Sequence, residues 1–344
     1  MIKKITQKRS RKILALLPIL LGSQGAAHAA GAQLYGAVDT FLGSSKASGD
    51  PKSVLGVQSG GMTTSFWGFA GSEDLGNNLT VNFRIESYFL ADTGAGGRAA
   101  GDALFARNAY VGLESKVGEI RAGRLANPMF LATALFDPFG GSTKFSPLLN
   151  VLWTPSYGRY FAADTGWSNA VGYYTPEING LSGRFVYGLG EVAGTNSSNN
   201  AVAMLLYDKA PWGATFAIQR TRAGAGFLAK SWAQTALAAA VSYDFNFLKA
   251  YVQYDSTRNS GDSIKTDTVQ VGMTVPYGNG KFMASAVQTV IKADGVATIR
   301  RSDLGFGYDY FLSKRSDLYA NVLYDKLSRQ GSGTAFGVGI RHKF

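Results

Sequence analysis

The sequence predicts an all-β protein, a closed 16-stranded antiparallel transmembrane β-barrel, and three observations carry this prediction. Apolar and polar residues alternate through much of residues 34–344, which is the pattern of strands whose two faces meet different surroundings. The chain has 43 glycines and 12% aromatic residues but only nine prolines, a composition typical of many short strands joined by tight turns. It also ends in a strand and stops on an aromatic residue.

That final strand covers the last eleven residues and separates large from small side chains. Its large face carries Phe336, Val338, Ile340, His342 and Phe344, and its other face carries Ala335, Gly337, Gly339, Arg341 and Lys343. In a soluble sheet such a strand would be an exposed edge prone to aggregation. In a closed membrane barrel the large face meets lipid and the edge pairs with the first strand.

Sixteen strands can be placed along the chain, and an even number returns both termini to the same side of the membrane. The predicted spans are 34–43, 62–71, 78–90, 104–115, 118–125, 167–175, 182–190, 200–208, 213–221, 234–244, 247–256, 266–276, 280–291, 301–312, 316–326 and 334–344. Short turn-forming connections (72–77, 115–118, 208–213, 276–280, 312–316) alternate with long glycine-rich ones (44–61, 91–102, 126–166, 191–199, 222–231).

Several interior strands show which face meets lipid and which meets a watery lumen. Leu79, Val81, Phe83 and Ile85 alternate with Thr80, Asn82, Arg84 and Glu86; Val269, Val271 and Met273 alternate with Gln270, Gly272 and Thr274; Leu304, Phe306, Tyr308 and Tyr310 alternate with Asp303, Gly305, Gly307 and Asp309. A lumen face that holds Arg and Glu implies water inside the barrel. A β-sandwich with one solvated face is the alternative, but about 300 residues of alternation exceed one sandwich.

Residues 1–29 have the features of a cleaved signal peptide. Six basic residues precede an apolar core, Ile13 to Leu21, that is too short to span a bilayer, and Ala27-His28-Ala29 is a small-residue cleavage box. The alternative is an uncleaved anchor. The six basic residues are part of 34 in the whole chain, so residues 30–344 keep 28 basic and 23 acidic residues, a net charge of +5.

Composition excludes several classes of function. Basic residues outside the signal peptide are scattered, whereas nucleic-acid binding needs a clustered basic face. The chain has no cysteine, and His342 is the one histidine after the signal peptide. Thiolate and histidine-rich metal sites and a Ser-His-Asp triad are therefore not expected. We expect no enzymatic activity, no cofactor and no metal.

The chain resembles a known family, the general-diffusion porins of Gram-negative outer membranes, of the β-proteobacterial and neisserial type. The matching segments are Leu34 to Asp39, Gly68 to Gly76, Arg107 to Leu113, Ala122 to Arg124, Tyr173 to Pro176, Leu312 to Tyr319 and Val338 to Phe344. The Gly-Ser-Glu-Asp-Leu-Gly segment and the Arg-His-Lys-Phe ending are the most specific.

The resemblance implies a homotrimer of sixteen-stranded barrels in the outer membrane, each with its own pore. It implies that the third extracellular loop, here residues 126–166, folds inward and narrows the channel. The porin domain would span residues 30–344. Expected partners are outer-membrane lipid and lipopolysaccharide, barrel-assembly machinery that recognises the strand ending at Phe344, and small solutes and ions, but no nucleic acid.

The resemblance also suggests which residues line the constriction. Arg84 and Arg121 are predicted to face the lumen, Arg124 lies where the loop leaves its strand, and Glu86 is an inward acid. Asp137 is the one acid in residues 126–153. Opposed fixed charges across a narrow gap would filter small solutes.

The chain also departs from the family pattern. Phe66 stands where many relatives have a basic residue, Ala70 occupies a later basic position, and Gly172 and Tyr174 replace an Arg and an acid. We therefore expect a less polar and more aromatic constriction, with Phe66 and Tyr174 as lining residues.

The predicted function is passive diffusion of small hydrophilic solutes and ions through a water-filled pore with a weak anion preference. The inward acids Asp39, Glu86, Asp303 and Asp309 oppose that preference. A substrate-specific channel with a binding site on its wall is the main alternative, and an outer-membrane enzyme or a barrel with a blocked lumen are two others.

Overall fold

The computed structural model describes residues 31–190, 199–222 and 233–344. The predicted signal peptide, residues 1–29, lies outside the described residues, as do most of the connections 191–199 and 222–231. The strands of the described part are β1 (Gln33–Ser45), β2 (Val54–Ser59), β3 (Phe66–Gly76), β4 (Leu79–Tyr88), β5 (Asn108–Ser115), β6 (Gly118–Ala126), β7 (Gly166–Tyr174), β8 (Leu181–Gly188), β9 (Asn200–Lys209), β10 (Trp212–Thr221), β11 (Gln234–Asp244), β12 (Lys249–Asn259), β13 (Lys265–Tyr277), β14 (Gly280–Ala293), β15 (Val296–Phe311), β16 (Ser316–Leu327) and β17 (Gly333–Lys343).

These strands form one closed antiparallel sheet. The first and last strands close it, with Ala37 of β1 opposite Lys343 of β17 and Ser44 opposite Phe336. Beyond that ladder, Gly36 and Phe344 exchange two backbone hydrogen bonds of 3.1 Å. Strands β2 and β3 pair with different parts of β1. Together they therefore fill a single strand position in the barrel wall. The prediction of a closed 16-stranded barrel is confirmed.

Strand β2 was missed by sequence reasoning, which placed residues 44–61 in a connection. The segment 60–65 separates β2 from β3 and wraps around the carboxylate of Asp39. The backbone N–H groups of Gly61, Met62 and Thr63 donate to that carboxylate at 3.0, 2.8 and 2.7 Å. These hydrogen bonds explain how a buried inward acid is accommodated in β1, since a buried charge needs such donors.

The faces of the strands follow the predicted alternation. Leu304, Phe306 and Tyr310 of β15 are exposed on the outer surface, whereas Asp303 and Asp309 of the same strand are buried. On β17, and at Phe344 directly after it, the large side chains of the final segment are exposed as well. An exposed apolar outer surface with polar residues behind it is the arrangement of a barrel whose outer wall meets lipid.

The turn between β3 and β4 is tighter than the predicted segment 72–77. The strands continue to Gly76 and start again at Leu79, so only Asn77 and Asn78 remain between them. Both residues have positive φ, 52° and 61°. Asparagine tolerates this conformation, which two-residue hairpin turns require.

The long connection 126–166 contains two helices, α1 (Pro128–Leu135) and α2 (Pro147–Trp153), followed by a 3₁₀ turn at Pro155–Tyr157. The side chains of Asn127 and Ser146 cap the two helices by accepting from the N–H groups of Met129 and Leu149. Each cap is followed by proline, which is favoured at the first helical position. No helix within residues 31–190, 199–222 and 233–344 has the length and apolar character needed to cross a membrane.

Candidate functional site

Three arginines and two tyrosines form a continuous row on the inner faces of β4 to β8. The strand register places Arg84 opposite Tyr110, and Tyr174 opposite Arg184. Arg121 lies between the two tyrosines, with its guanidinium carbon 4.7 Å from the centre of the Tyr110 ring and 4.1 Å from that of Tyr174. We call Arg84, Tyr110, Arg121, Tyr174 and Arg184 the arginine–tyrosine row.

The ends of the row also make ring contacts. Arg84 lies 5.9 Å from the ring centre of Tyr35, on β1, and Arg184 lies 6.0 Å from that of Tyr174. Strand β3 lies between β4 and β1, and its residue opposite Arg84 is the small Ala70. The Arg84 side chain can therefore reach across β3 to Tyr35. A guanidinium held against an aromatic face is attracted to the ring and loses side-chain freedom. The row therefore presents positioned charges.

Only part of that charge is neutralised. Arg121 donates from Nε and Nη2 to the two carboxylate oxygens of Glu119, at 2.7 and 2.6 Å. In the part of the chain that the structure describes, no carboxylate forms an ion pair with Arg84 or Arg184. With three guanidiniums and one carboxylate, the row and Glu119 together carry a net charge of +2.

Glu86, two residues from Arg84 on the same face of β4, is a buried acceptor. Its carboxylate accepts from Tyr35 Oη at 2.6 Å, from Arg107 Nη1 at 2.6 Å and from the side-chain amide of Asn108. Arg107 in turn stacks 4.1 Å from the ring centre of Phe66, which is itself buried. Glu86 is thus neutralised by Arg107, and Phe66 supports that arginine from beneath.

Arg124 lies apart from the row. It pairs in register with Ala109, which follows the inward Asn108 on β5, so it is on the opposite face of β6 from Arg121. It donates to Ser168 Oγ at 2.9 Å and to Asp164 at 3.0 Å. Asp164 also accepts from Arg98 at 2.9 Å. Burial would raise the pKa of Asp164, but Arg98 and Arg124 outweigh it and lower that pKa.

Asp137, at the end of α1, is occupied within its own segment. Its carboxylate accepts from the backbone N–H of Gly141 at 2.9 Å and from Ser146 Oγ at 2.8 Å. Burial raises the pKa of Asp137 to about 6. The carboxylate thus fixes the connection between α1 and α2.

Segment 126–166 is hydrogen-bonded to residues of several barrel strands. Asn127 donates to Gln219 at 2.8 Å, Gln270 donates to the carbonyl of Phe136 at 3.0 Å, and Arg301 donates to the carbonyl of Tyr157 at 2.6 Å. Close packing accompanies these bonds. A side chain at Gly272 would come within 2.5 Å of Pro138, and one at Gly305 within 2.9 Å of Phe139 and Pro147. These glycines are required where the segment approaches the wall.

The inward acids that opposed an anion preference are almost inaccessible to water. Asp39 and Glu86 are 0% exposed, and Asp303 and Asp309 are each 1% exposed. The latter two lie 3.7 Å from Arg301 and 3.8 Å from Arg341. Asp39 is held by backbone N–H groups and the other three acids lie beside arginines, so these buried carboxylates present little charge to a solute.

A family model described as Gram-negative porin matches residues 16–330. The protein belongs to the Gram-negative porin family. A curated relative, outer membrane porin protein 32 of Delftia acidovorans, is 29% identical, covering 97% of this chain and 100% of that protein. Major outer membrane protein P.IB of Neisseria meningitidis is 24% identical, covering 96% of this porin and 99% of its own chain.

The fold of the porin agrees with solved structures. An anion-selective porin from Comamonas acidovorans is similar with a TM-score of 0.77 and 25% sequence identity, covering 92% of this chain and 100% of that chain. The family and the closed barrel identify the chain as an outer-membrane, multi-pass channel, as its sequence predicted.

Sequence reasoning named only part of the row in this porin. Arg84, Arg121 and Tyr174 were predicted as lining residues, but Arg184, Glu119 and Tyr110 were not. Alternation alone places Arg184 on the inner face of its strand, between Ser182 and Val186. Its place beside Tyr174 depends on the strand register, which the sequence does not display.

Proposed function

We propose that this porin is a passive channel with a preference for anions, in which the arginine–tyrosine row forms the selective wall. Solutes would move down their own gradients through water. The unpaired guanidiniums of Arg84 and Arg184 would raise the local concentration of anions and lower that of cations. The net charge of the row is the single observation that carries this proposal, and the anion-selective porin from Comamonas acidovorans supports it.

We propose that segment 126–166 is the inward third loop and forms the other side of the constriction. Its hydrogen bonds to Gln219, Gln270 and Arg301, all on inner strand faces, support this placement. A connection of about 40 residues otherwise calls for a functional reason. Arg121 and Tyr174 would line the constriction directly, Glu86 and Phe66 would act through Arg107, Asp137 would hold the loop together, and Arg124 would belong to the rim.

The remaining expectations concern assembly. We propose a homotrimer, cleavage of residues 1–29 on export, and recognition of the strand ending at Phe344 by barrel-assembly machinery. Contacts with lipopolysaccharide would come from basic residues near the long connections. The exposed apolar wall, which includes Leu304 and Val338, supports a lipid environment.

A substrate-specific channel is the second candidate, because the row offers alternating charges and rings on which one class of solute could rest. The two candidates differ in kinetics. General diffusion gives a flux proportional to concentration, whereas a wall site saturates and blocks the ion current.

The test is single-channel recording of the purified protein in a planar bilayer with a KCl gradient. The proposal predicts conductance in groups of three steps and a zero-current potential of the sign set by chloride. A zero-current potential of the cation-selective sign would overturn the anion preference, and absence of conductance would overturn an open channel.

A further inference from the structure

The first helix of the long connection is apolar on both of its faces. Helix α1 has the sequence P-M-F-L-A-T-A-L, with no acid in its first turn and no base in its last. Its Pro128, Met129, Ala132 and Thr133 are buried against a cluster that includes Val186, Val202 and Met204. The other stripe of the helix, formed by Phe130, Leu131, Ala134 and Leu135, is only half buried.

This half-buried stripe and the arginine–tyrosine row belong to the same region. Tyr174 packs against the same buried cluster as Phe130 and Leu131. Tyr174 is also the ring that both Arg121 and Arg184 contact. Helix α1 contacts β8, the strand that carries Arg184, so the apolar helix lies beside the Arg184 end of the row.

The loop offers the row no competing carboxylate. Both oxygens of Asp137 accept hydrogen bonds from Gly141 and Ser146, and Asp164 is taken by Arg98 and Arg124. A solute at the Arg184 end of the row would thus meet a guanidinium and the hydrocarbon of α1. A compact hydrated anion gains only from the first, whereas an anion with an apolar body also gains from covering the second.

We propose that the constriction selects amphipathic organic anions, carboxylates with an aromatic or aliphatic body, over compact anions of equal charge. This inference rests on the proposed function, because it needs α1 to face the solute path. The carboxylate would lie near Arg184, and the apolar body would lie on the stripe of Leu131 and Leu135. Affinity must stay weak, since a tightly held solute would not leave.

The experiment measures block of the potassium chloride current through the full-length exported protein by sodium benzoate and by sodium acetate. Benzoate should reduce the current saturably, and its half-blocking concentration should be about tenfold or more below that of acetate. A tenfold difference corresponds to about 1.4 kcal/mol of contact that benzoate makes and acetate lacks. Leu131→Gln, which keeps the size of the side chain but makes it polar, should remove most of this difference. Leu131→Met, the matched control, should keep it.

Failure of this inference can be told apart from failure of the proposed function. If the zero-current potential in KCl is anion-selective but benzoate and acetate block equally, the inference is wrong and the anion channel stands. Equal benzoate block in Leu131→Gln and Leu131→Met would also overturn it. A cation-selective potential would overturn both. Normal KCl conductance in each variant establishes that it has folded.

Discussion

Removing one unpaired guanidinium should weaken the anion preference, and removing a neutral pair should not. Arg84 has no ion-pair partner among the described residues, whereas Arg121 and Glu119 are joined at 2.6 Å. Arg84→Gln would lower the net charge of the row from +2 to +1. The double variant Glu119→Gln with Arg121→Gln removes one charge of each sign and keeps the net charge at +2.

The size of the effect follows from Coulomb's law. A unit charge about 4 Å from a passing ion is worth about 1 kcal/mol in water, which is about fivefold in the partition of chloride. The effect should be largest at low salt, because the screening length falls from about 30 Å at 0.01 M to about 10 Å at 0.1 M.

The assay is the zero-current potential across a bilayer that separates 0.1 M and 0.01 M KCl, values that span about a threefold change in screening length. Arg84→Gln should shift the potential toward zero, and the double variant should stay near the wild type. An unchanged potential in conducting Arg84→Gln channels would mean that Arg84 does not act on the permeating ions. A shift in the double variant as large as that in Arg84→Gln would contradict the dependence on net charge.

Three further predictions concern the loop and the barrel end. Burial raises the pKa of Asp137 to about 6, so ionisation of Asp137 lowers the free energy of unfolding by about 3 kcal/mol, a loss that is absent below about pH 4 and complete above pH 6. Urea unfolding at pH 4 to 8 should therefore show the wild type losing stability relative to Asp137→Asn as pH rises, and parallel curves would contradict this. Gly305→Ala should lower single-channel conductance by pushing the loop from β15 toward the solute path, whereas Gly56→Ala, which meets nothing within 4 Å, should leave it unchanged; equal conductances would place the loop elsewhere. Phe344→Ala should reduce the amount of assembled barrel, measured by heat-modifiable gel mobility, more than Phe336→Ala, an exposed aromatic on the same face; equal losses would argue against a special role for the terminal position.

Much of the barrel could be predicted because its strands have two chemically different faces. The alternation from Phe336 to Phe344, or from Asp303 to Tyr310, is local information, and the structure confirms it. Strand β2 was missed because Val54 to Ser59 is short and lies within a glycine-rich polar segment. The helices of the long loop were also missed, although Asn127-Pro128 and Ser146-Pro147 are helix-start signals that could have found them.

The candidate site was predicted less completely, because it depends on neighbours across strands. Sequence reasoning could place Arg121 on the inner face but could not pair it with Glu119 or set it between Tyr110 and Tyr174. It also gave Arg124 to the constriction, although a spacing of three residues puts Arg124 on the opposite face of β6 from Arg121, in agreement with its pairing with Ala109. Side-chain partners of this kind follow from register and bulges.

Cysteine chemistry can show directly whether the guanidinium of Arg84 borders an open aqueous path. The chain has no cysteine, so Arg84→Cys introduces a unique thiol. A water-soluble methanethiosulfonate that carries a positive charge should react from the bath, reduce the current stepwise and restore the anion preference, and one that carries a negative charge should shift the channel toward cations. Absence of any change in current or zero-current potential with either reagent, in channels that conduct, would mean that position 84 does not border the aqueous path.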